Sequence, residues 1–168
     1  MSSTATGVRR SSLLVDTAVV LGSFLLAAVA VGLLWPQLVD PVTVTRTEAG
    51  TVIGEAELAQ RFDNDAWYAV LAAAAGLVLG IGLTAWRRTH EVVTVLLVAA
   101  AACLAAWVSA AIGTWAGPED PERILARGAM GVTAPEQVRV DASAAYLVWP
   151  TAAVAGALVV LWRPLDRG

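Results

Sequence analysis

The sequence predicts an all-α transmembrane protein, a four-helix bundle with a small β-containing extracytoplasmic cap built from two outer loops. Three observations support this class. Charged residues make up 15% of the chain, against roughly 25% in an ordinary soluble domain. Four long apolar stretches contain a single charge, Asp16. The segments between them alternate between short basic ones and long acidic ones.

The four apolar stretches are each long enough to cross a bilayer. A helix rising ~1.5 Å per residue crosses a ~30 Å hydrocarbon core in about 20 residues. Helices are expected because backbone polar groups in lipid must find partners within their own segment. The first stretch is predicted to be an uncleaved anchor, since signal peptides end after about 7–15 apolar residues. The predicted spans are residues 13–35, 66–86, 92–115 and 144–162.

Arginine predicts the orientation, because the chain contains no lysine. Six arginines lie in the short segments 1–12, 87–91 and 163–168, whereas five are spread over the longer segments 36–65 and 116–143. Short basic segments stay on the cytoplasmic side. We therefore expect a multi-pass protein of the cell (plasma) membrane with both termini in the cytoplasm.

The two outer loops are strongly acidic. They hold eleven acidic residues against five arginines, a net charge of −6. Such a surface repels nucleic acid and anionic lipid headgroups. The predicted partners are membrane lipids along the spans and either a second protein or another copy of this chain, with no nucleic acid.

Local patterns predict structure in the outer loops. Residues 42–47 and 51–53 are rich in β-branched types, and Glu48-Ala49-Gly50 between them suits a three-residue hairpin loop with Gly50 in the left-handed conformation. Residues 138–140 are a candidate third strand. A short helix is predicted from Asp120 to Gly128, with proline in its first turn.

Polar residues next to the second and fourth spans are predicted to be helix caps. Asp63-Asn64-Asp65 precedes the second span, and Asp141 or Ser143 precedes the fourth. Carboxylates and hydroxyls at such positions bind the free N–H groups of the first turn. This reading of Asp63 and Asp65 accounts for them better than a divalent cation site does.

Small residues recur every four positions on two of the spans. One alternative is a dimerisation face, since small side chains let helices approach closely in lipid. The other is packing inside the bundle, favoured by the tight connection at 87–91, which predicts that the second and third spans are antiparallel neighbours. The stripe residues are Ala72, Gly76, Gly80 and Thr84 in the second span and Ala102, Ala106 and Ala110 in the third.

Aromatic residues suggest a belt and a pocket. Trp35, Trp67, Trp115 and Tyr68 fall at the predicted outer interface, where an aromatic belt is expected. Deeper residues either line an apolar pocket opening outward or face lipid, and Pro150 among them predicts a kink in the fourth span. The candidate pocket residues are Trp107, Tyr146, Trp149 and Pro150.

Asp16 is a candidate intramembrane acid, a residue type with functional meaning by default. Its position near the cytoplasmic end also fits an interfacial acid that pairs with Arg9 or Arg10 while water reaches both. The chain has one histidine and one cysteine. No metal-ligand, nucleophile or phosphate-loop motif occurs. The prediction is therefore no enzyme, with no catalytic residue, metal or cofactor.

Several short motifs carry a resemblance to a known family. They are Leu33-Leu34-Trp35-Pro36, the Thr-Arg-Thr-Glu-Ala-Gly run at 45–50, Ala66-Trp67-Tyr68 and Leu147-Val148-Trp149-Pro150. In layout and in these motifs, residues 13–162 resemble an actinobacterial family of small four-span membrane proteins of unknown function. The arginine-only, alanine-rich composition fits a high-GC actinobacterium. The resemblance implies the topology and transfers no catalytic residue.

Two functions remain open at this point. The first is a non-enzymatic accessory or scaffold subunit that docks a partner through its acidic outer cap. The second is a small transporter or lipophile-binding protein with a site between the third and fourth spans.

Overall fold

The computed structural model describes residues 4–40, 43–47, 50–52, 55–87, 91–118 and 133–162. This part of the chain is mostly helical, and it contains four helices long and apolar enough to cross a membrane. The predicted set of four helices able to span a membrane is thereby confirmed, whereas the predicted cap stays a prediction. The helix predicted from Asp120 to Gly128 lies outside the described residues. The helices are α1 (Thr4–Leu38), α2 (Glu55–Trp86), α3 (Glu91–Ala116) and α4 (Val148–Trp162), the last preceded by a 3-10 turn (Ser143–Leu147).

The predicted caps of the second and fourth spans are wrong. Because Glu55 to Arg61 consists of good helix formers, α2 begins at Glu55 and runs through Asp63 and Asp65. The 3-10 turn starts after Ala142, and no side chain caps it. A local cap motif is therefore overridden here by the helix propensity of the residues before it.

The helices pack as two parallel pairs. The most extensive contacts join α1 to α3 and α2 to α4, while α2 and α3 contact each other least of the pairs formed by neighbouring helices in the sequence. The prediction that α2 and α3 are close neighbours is therefore wrong. The short connection between them fixes their antiparallel direction, but it is long enough for the two helices to lie on opposite corners of the bundle.

The bundle core combines a few large aromatic side chains with many alanines. Phe24, Trp35, Tyr68 and Trp149 are all fully buried. The opposite faces of the helices are apolar as well, and large side chains such as Leu26 remain 75% exposed. Helices that are apolar on every side are expected where the surroundings are lipid.

The hairpin loop and the third strand differ from the predicted pattern. Strands β1 (Thr43–Thr47), β2 (Gly50–Val52) and β3 (Thr133–Pro135) form an antiparallel sheet in the order β2-β1-β3. Thr47 pairs with Gly50, so Gly50 belongs to a strand and the predicted three-residue loop is wrong.

The third strand lies before residues 138–140 and not within them. Residues 136–142 have no regular secondary structure. Val138 is 2% exposed and lies next to Gly117, whose added Cβ would come within 3.3 Å of the Val138 Cβ. The β-branched side chain is used for packing against the end of α3, so the strand prediction here is wrong.

Candidate functional site

One end of the bundle, here called the loop end, is where α1 and α3 finish and where α2 and the 3-10 turn begin. The segment 136–142 is fixed to α2 at this end. Arg61 binds Glu136 through two hydrogen bonds, from Nε to Oε2 at 3.1 Å and from Nη2 to Oε1 at 2.6 Å. Bidentate pairs of this kind are strong and directional. The segment is therefore held in a defined position.

Asp65 provides the second attachment of this segment. Its carboxylate accepts hydrogen bonds from the backbone N–H groups of Asp141, at 3.1 Å, and Ala142, at 2.8 Å. Asp65 on α2 therefore binds backbone N–H groups just before the fourth span, although the sequence pattern predicted that it caps its own helix. Gln137 adds a bond to the Thr114 carbonyl at 3.4 Å.

The two described arginine side chains of the loop end are already engaged by acids. Arg61 pairs with Glu136, and Arg139 pairs with Asp141 at 2.7 Å. The hydrogen bond to Asp141 raises the pKa of the Arg139 guanidinium above its usual value. Asp40 and Asp63 are exposed, and neither forms a salt bridge within the described residues. The described surface of the loop end therefore carries unpaired negative charge.

A cleft opens between the end of α1 and the first part of α2. Its volume is about 170 Å³, and its walls are mostly polar. The polar residues that line it are Asp40, Gln60, Asp63 and Asn64, with Trp67 at its side. None of these was singled out from the sequence as part of a common site, because Asp40 and Asn64 meet only when α1 and α2 pack together.

The predicted apolar pocket residues differ widely in burial. Trp149 is fully buried and lies against Phe24, with ring centroids 6.3 Å apart. Trp107 is 71% exposed on the surface of α3. Tyr146 contacts the Trp107 ring at a centroid distance of 5.8 Å. One tryptophan therefore belongs to the core and the other to the exposed surface of the bundle.

Pro150 does not interrupt a long helix. The chain changes from 3-10 to α geometry at Val148, so Pro150 lies in the first turn of α4. Proline is well tolerated in the first turn of an α-helix. The change in helix geometry lies just before Pro150, between Leu147 and Val148, and the predicted kink stays a prediction.

A buried hydrogen-bonded cluster, which the sequence did not reveal, joins three helices. The Tyr68 hydroxyl donates to the Ala106 carbonyl at 2.9 Å and lies 3.1 Å from Ser109 Oγ. The Trp35 indole donates to the Asn64 carbonyl at 2.9 Å. Trp35 and Tyr68 also meet edge to face, 5.2 Å apart. Both were expected in the interfacial belt, and both are fully buried instead.

The small-residue stripe of α2 packs against α4. A Cβ added to Gly76 would lie 2.8 Å from the Trp149 carbonyl oxygen, and one added to Gly80 would overlap the backbone of Ala153. Ala72 and Thr84 on the same stripe are fully buried. The Thr84 hydroxyl finds no hydrogen-bond partner among the described residues. This stripe is therefore covered by α4 of the same chain.

The stripe of α3 is buried within the bundle, and α3 packs most extensively on α1. Ala102, Ala106 and Ala110 are at most 5% exposed. Close approach of these helices depends on glycine, because a Cβ on Gly32 would lie 2.7 Å from the Ser109 carbonyl oxygen. Both stripes are therefore buried inside the bundle.

Asp16 forms a buried ion pair with Arg87, the residue after α2. Asp16 is 6% exposed, so it is not the water-accessible interfacial acid that was one alternative. Its partner comes from another helix, whereas the side chains of Arg9 and Arg10 lie outside the described residues. A cavity of about 30 Å³ adjoins the pair, which is room for about one water molecule.

The sequence matches no model of a protein family, and neither the curated proteins nor the solved structures give a significant match. The resemblance to the actinobacterial four-span family therefore stays a prediction, and the function is argued from geometry.

Proposed function

We propose that this chain is a non-enzymatic scaffold or accessory subunit of the cell membrane that docks a protein partner through the acidic surface of its loop end. In this proposal the loop end faces outward, the sheet forms a cap above the bundle, and both termini are cytoplasmic. No catalysis and no cofactor is part of it. The partner surface that fits is basic, because it must complement carboxylates.

The observation that carries the proposal is the fixed position of segment 136–142 on α2. The Arg61–Glu136 pair and the two bonds to Asp65 hold this segment against the helix. A docking surface held in place before binding loses less conformational entropy on association. The fixed surface therefore supports a binding role.

The charge balance supports a basic partner. Arg61 and Arg139 are neutralised by neighbouring acids, while Asp40 and Asp63 have no such partner among the described residues. Positive charge from another molecule would complete the balance. The same carboxylates disfavour contact with anionic lipid headgroups.

The orientation rests on the distribution of arginine, and two reporters test it. A periplasmic reporter fused after Gly168 should be inactive, and a cytoplasmic reporter at the same place should be active. The opposite result would place the acidic loops in the cytoplasm and remove the proposed site of docking.

Site-specific photocrosslinking tests the docking itself. Phe62 on α2 at the loop end and Leu26 in the middle of α1 are each 75% exposed, so they form a matched pair of positions. A photoreactive residue at Phe62 should capture one stoichiometric protein with a basic surface, and one at Leu26 should capture lipid. A solitary protein in both cases would contradict the proposal.

A second function, lipophile binding or small-molecule transport, is favoured by one groove between α3 and α4. It is apolar, has a volume of about 240 Å³ and is lined by Glu91, Val92, Val95, Leu96 and Leu161. It lies at the opposite end of these helices from Trp107 and Tyr146. If it is a binding site, Leu96→Trp should remove a co-purifying lipid or lipophile seen by native mass spectrometry. Leu26→Trp, an exposed control on α1, should keep it.

A further inference from the structure

We infer that the cleft at the loop end binds the side chain of an arginine or lysine from the docked partner. The inference rests on the proposed function, because the basic surface of that partner supplies the side chain. The cleft is then the point at which the acidic surface binds a side chain of its partner.

The cleft has a size suited to such a group. Its volume of about 170 Å³ is far above the ~10–15 Å³ of such space that one water molecule needs. A guanidinium or ammonium group with part of its aliphatic chain fits in this space. The cleft lies between two helices that other contacts already hold together, including the bond from Trp35 to the Asn64 carbonyl.

Asn64 adds a polar side chain to the wall of the cleft. The residue is 8% exposed and lines the cleft. Its backbone carbonyl accepts the Trp35 indole, but its side-chain amide forms no hydrogen bond with any other residue that the structure describes. The amide atoms are not among the fully buried polar atoms that lack a partner, so they are open to a hydrogen-bonding group within the cleft. The open face of this amide is the cleft.

The charges around Asn64 select a cation. Asp40 and Asp63 line the same cleft and have no salt bridge among the described residues. The cleft also lies just beyond Leu38, the last residue of α1, where unsatisfied carbonyl groups give the helix end a partial negative charge. Anions are therefore repelled, and a positive group would be attracted by two carboxylates and a helix end.

Trp67 and the two amides favour an organic cation over a metal ion. Trp67 lines the cleft with its side chain 45% exposed, and indole faces bind guanidinium and ammonium groups. The amide oxygens of Gln60 and Asn64 can accept N–H bonds from the several donors of such a group. A hard divalent cation would use the oxygen atoms but would gain nothing from the indole.

The test uses the full chain in nanodiscs of phosphatidylcholine, titrated with N-acetyl-arginine amide and N-acetyl-lysine amide. The neutral isostere N-acetyl-citrulline amide is the control for shape. Binding is followed by the ¹⁵N indole resonance of Trp67, identified by its disappearance in Trp67→Phe, and by calorimetry. We expect a saturable shift of this resonance with the two cationic probes and none with citrulline.

Two variants examine the cleft itself. Asp63→Asn should weaken binding of the arginine probe by about three- to fivefold, the effect of one partly exposed ion pair. Glu91→Gln removes an exposed acid at the other end of the bundle and should change nothing. Asp63 is exposed, so the variant is expected to fold, and an unchanged spectrum of the remaining indoles checks this.

Three outcomes would overturn the inference. They are equal shifts with citrulline, binding of the arginine probe unaffected by both Asp40→Asn and Asp63→Asn, and calcium binding that the arginine probe does not displace. Crosslinking from Phe62 separates this failure from that of the proposed function. If a partner is captured equally well by the Asp40→Asn/Asp63→Asn double variant, docking stands and the cleft is not its anchor. If no partner is captured by any variant, docking itself fails.

Discussion

Arg87, which directly follows α2, is ion-paired with Asp16 near the start of the membrane-spanning part of α1. The side chain of Asp16 is 8% exposed, whereas that of Arg87 is 29% exposed. The two partners therefore differ in how well each would tolerate the loss of the other. Arg87 also lies over the Trp86 ring, 5.6 Å from its centroid, which gives it a second interaction.

Loss of Arg87 should be more damaging than loss of Asp16. Arg87→Gln leaves a buried carboxylate without a counter-charge, and breaking a buried pair in this way costs about 3–5 kcal/mol. Asp16→Asn leaves an arginine that can still reach water and Trp86. The free energy of unfolding, measured by titration with denaturing detergent, should be lower for Arg87→Gln than for the double variant. Additive losses in the double variant would show that the pair is not coupled.

Gly80→Ala should separate α2 from α4. The added Cβ would overlap the Ala153 backbone, and overpacking of this kind costs about 1–3 kcal/mol. Gly82→Ala, two residues away, is the matched control because nothing lies within 4 Å of its Cβ. That change should leave stability equal or slightly higher, since alanine is the better helix former. Thermal unfolding in detergent compares the two, and equal melting temperatures would contradict this packing.

Tyr68→Phe should destabilise the bundle more than Tyr146→Phe. Tyr68 loses a buried hydrogen bond to the Ala106 carbonyl, which costs about 0.5–1.5 kcal/mol. Tyr146 is partly exposed and contributes ring contacts that phenylalanine retains. The same unfolding titration tests both. An equal effect would mean that the Tyr68 hydroxyl is not part of the cluster with Ser109.

Arg61→Gln should release segment 136–142 from α2, whereas Arg139→Gln should not. Arg61 holds Glu136 through two bonds in a partly buried site, whereas the side chain of Arg139 is 66% exposed. Exposed pairs contribute little. Hydrogen exchange of the amides of residues 136–142 should accelerate only in the Arg61 variant. Unchanged exchange in that variant would show that Asp65 alone fixes the segment.

The four spans could be predicted from the sequence because hydropathy and length decide which segments enter lipid. The neighbours of each helix could not, since apolar faces on every side do not specify which helix packs on which. Phe24, Ala28, Val31 and Trp35 do carry a signal, because their spacing of four, three and four places Trp35 on the buried face. That spacing argues against an interfacial position for Trp35.

The candidate site was only partly accessible from the sequence for a related reason. Asp16 stood out because a charge in an apolar span is rare, but its partner Arg87 comes from a distant part of the chain. Asp65 was identified as a capping residue, yet it binds the backbone of Asp141 and Ala142 and not its own helix. Local sequence patterns indicate which side chains can form ion pairs or hydrogen bonds. The tertiary fold decides which groups they bind.

The parallel pairing of α1 with α3 and of α2 with α4 means that neither helical hairpin contains its own main interface. If the backbone were cut in the connection between Arg87 and Glu91, the α1–α3 and α2–α4 interfaces would each join one fragment to the other. Each of two separately synthesised halves would therefore contain only one side of each main interface. The interfaces would form only when the two halves bind each other. During biosynthesis, α1 must likewise wait for α3, and α2 for α4, before their shared interface can form.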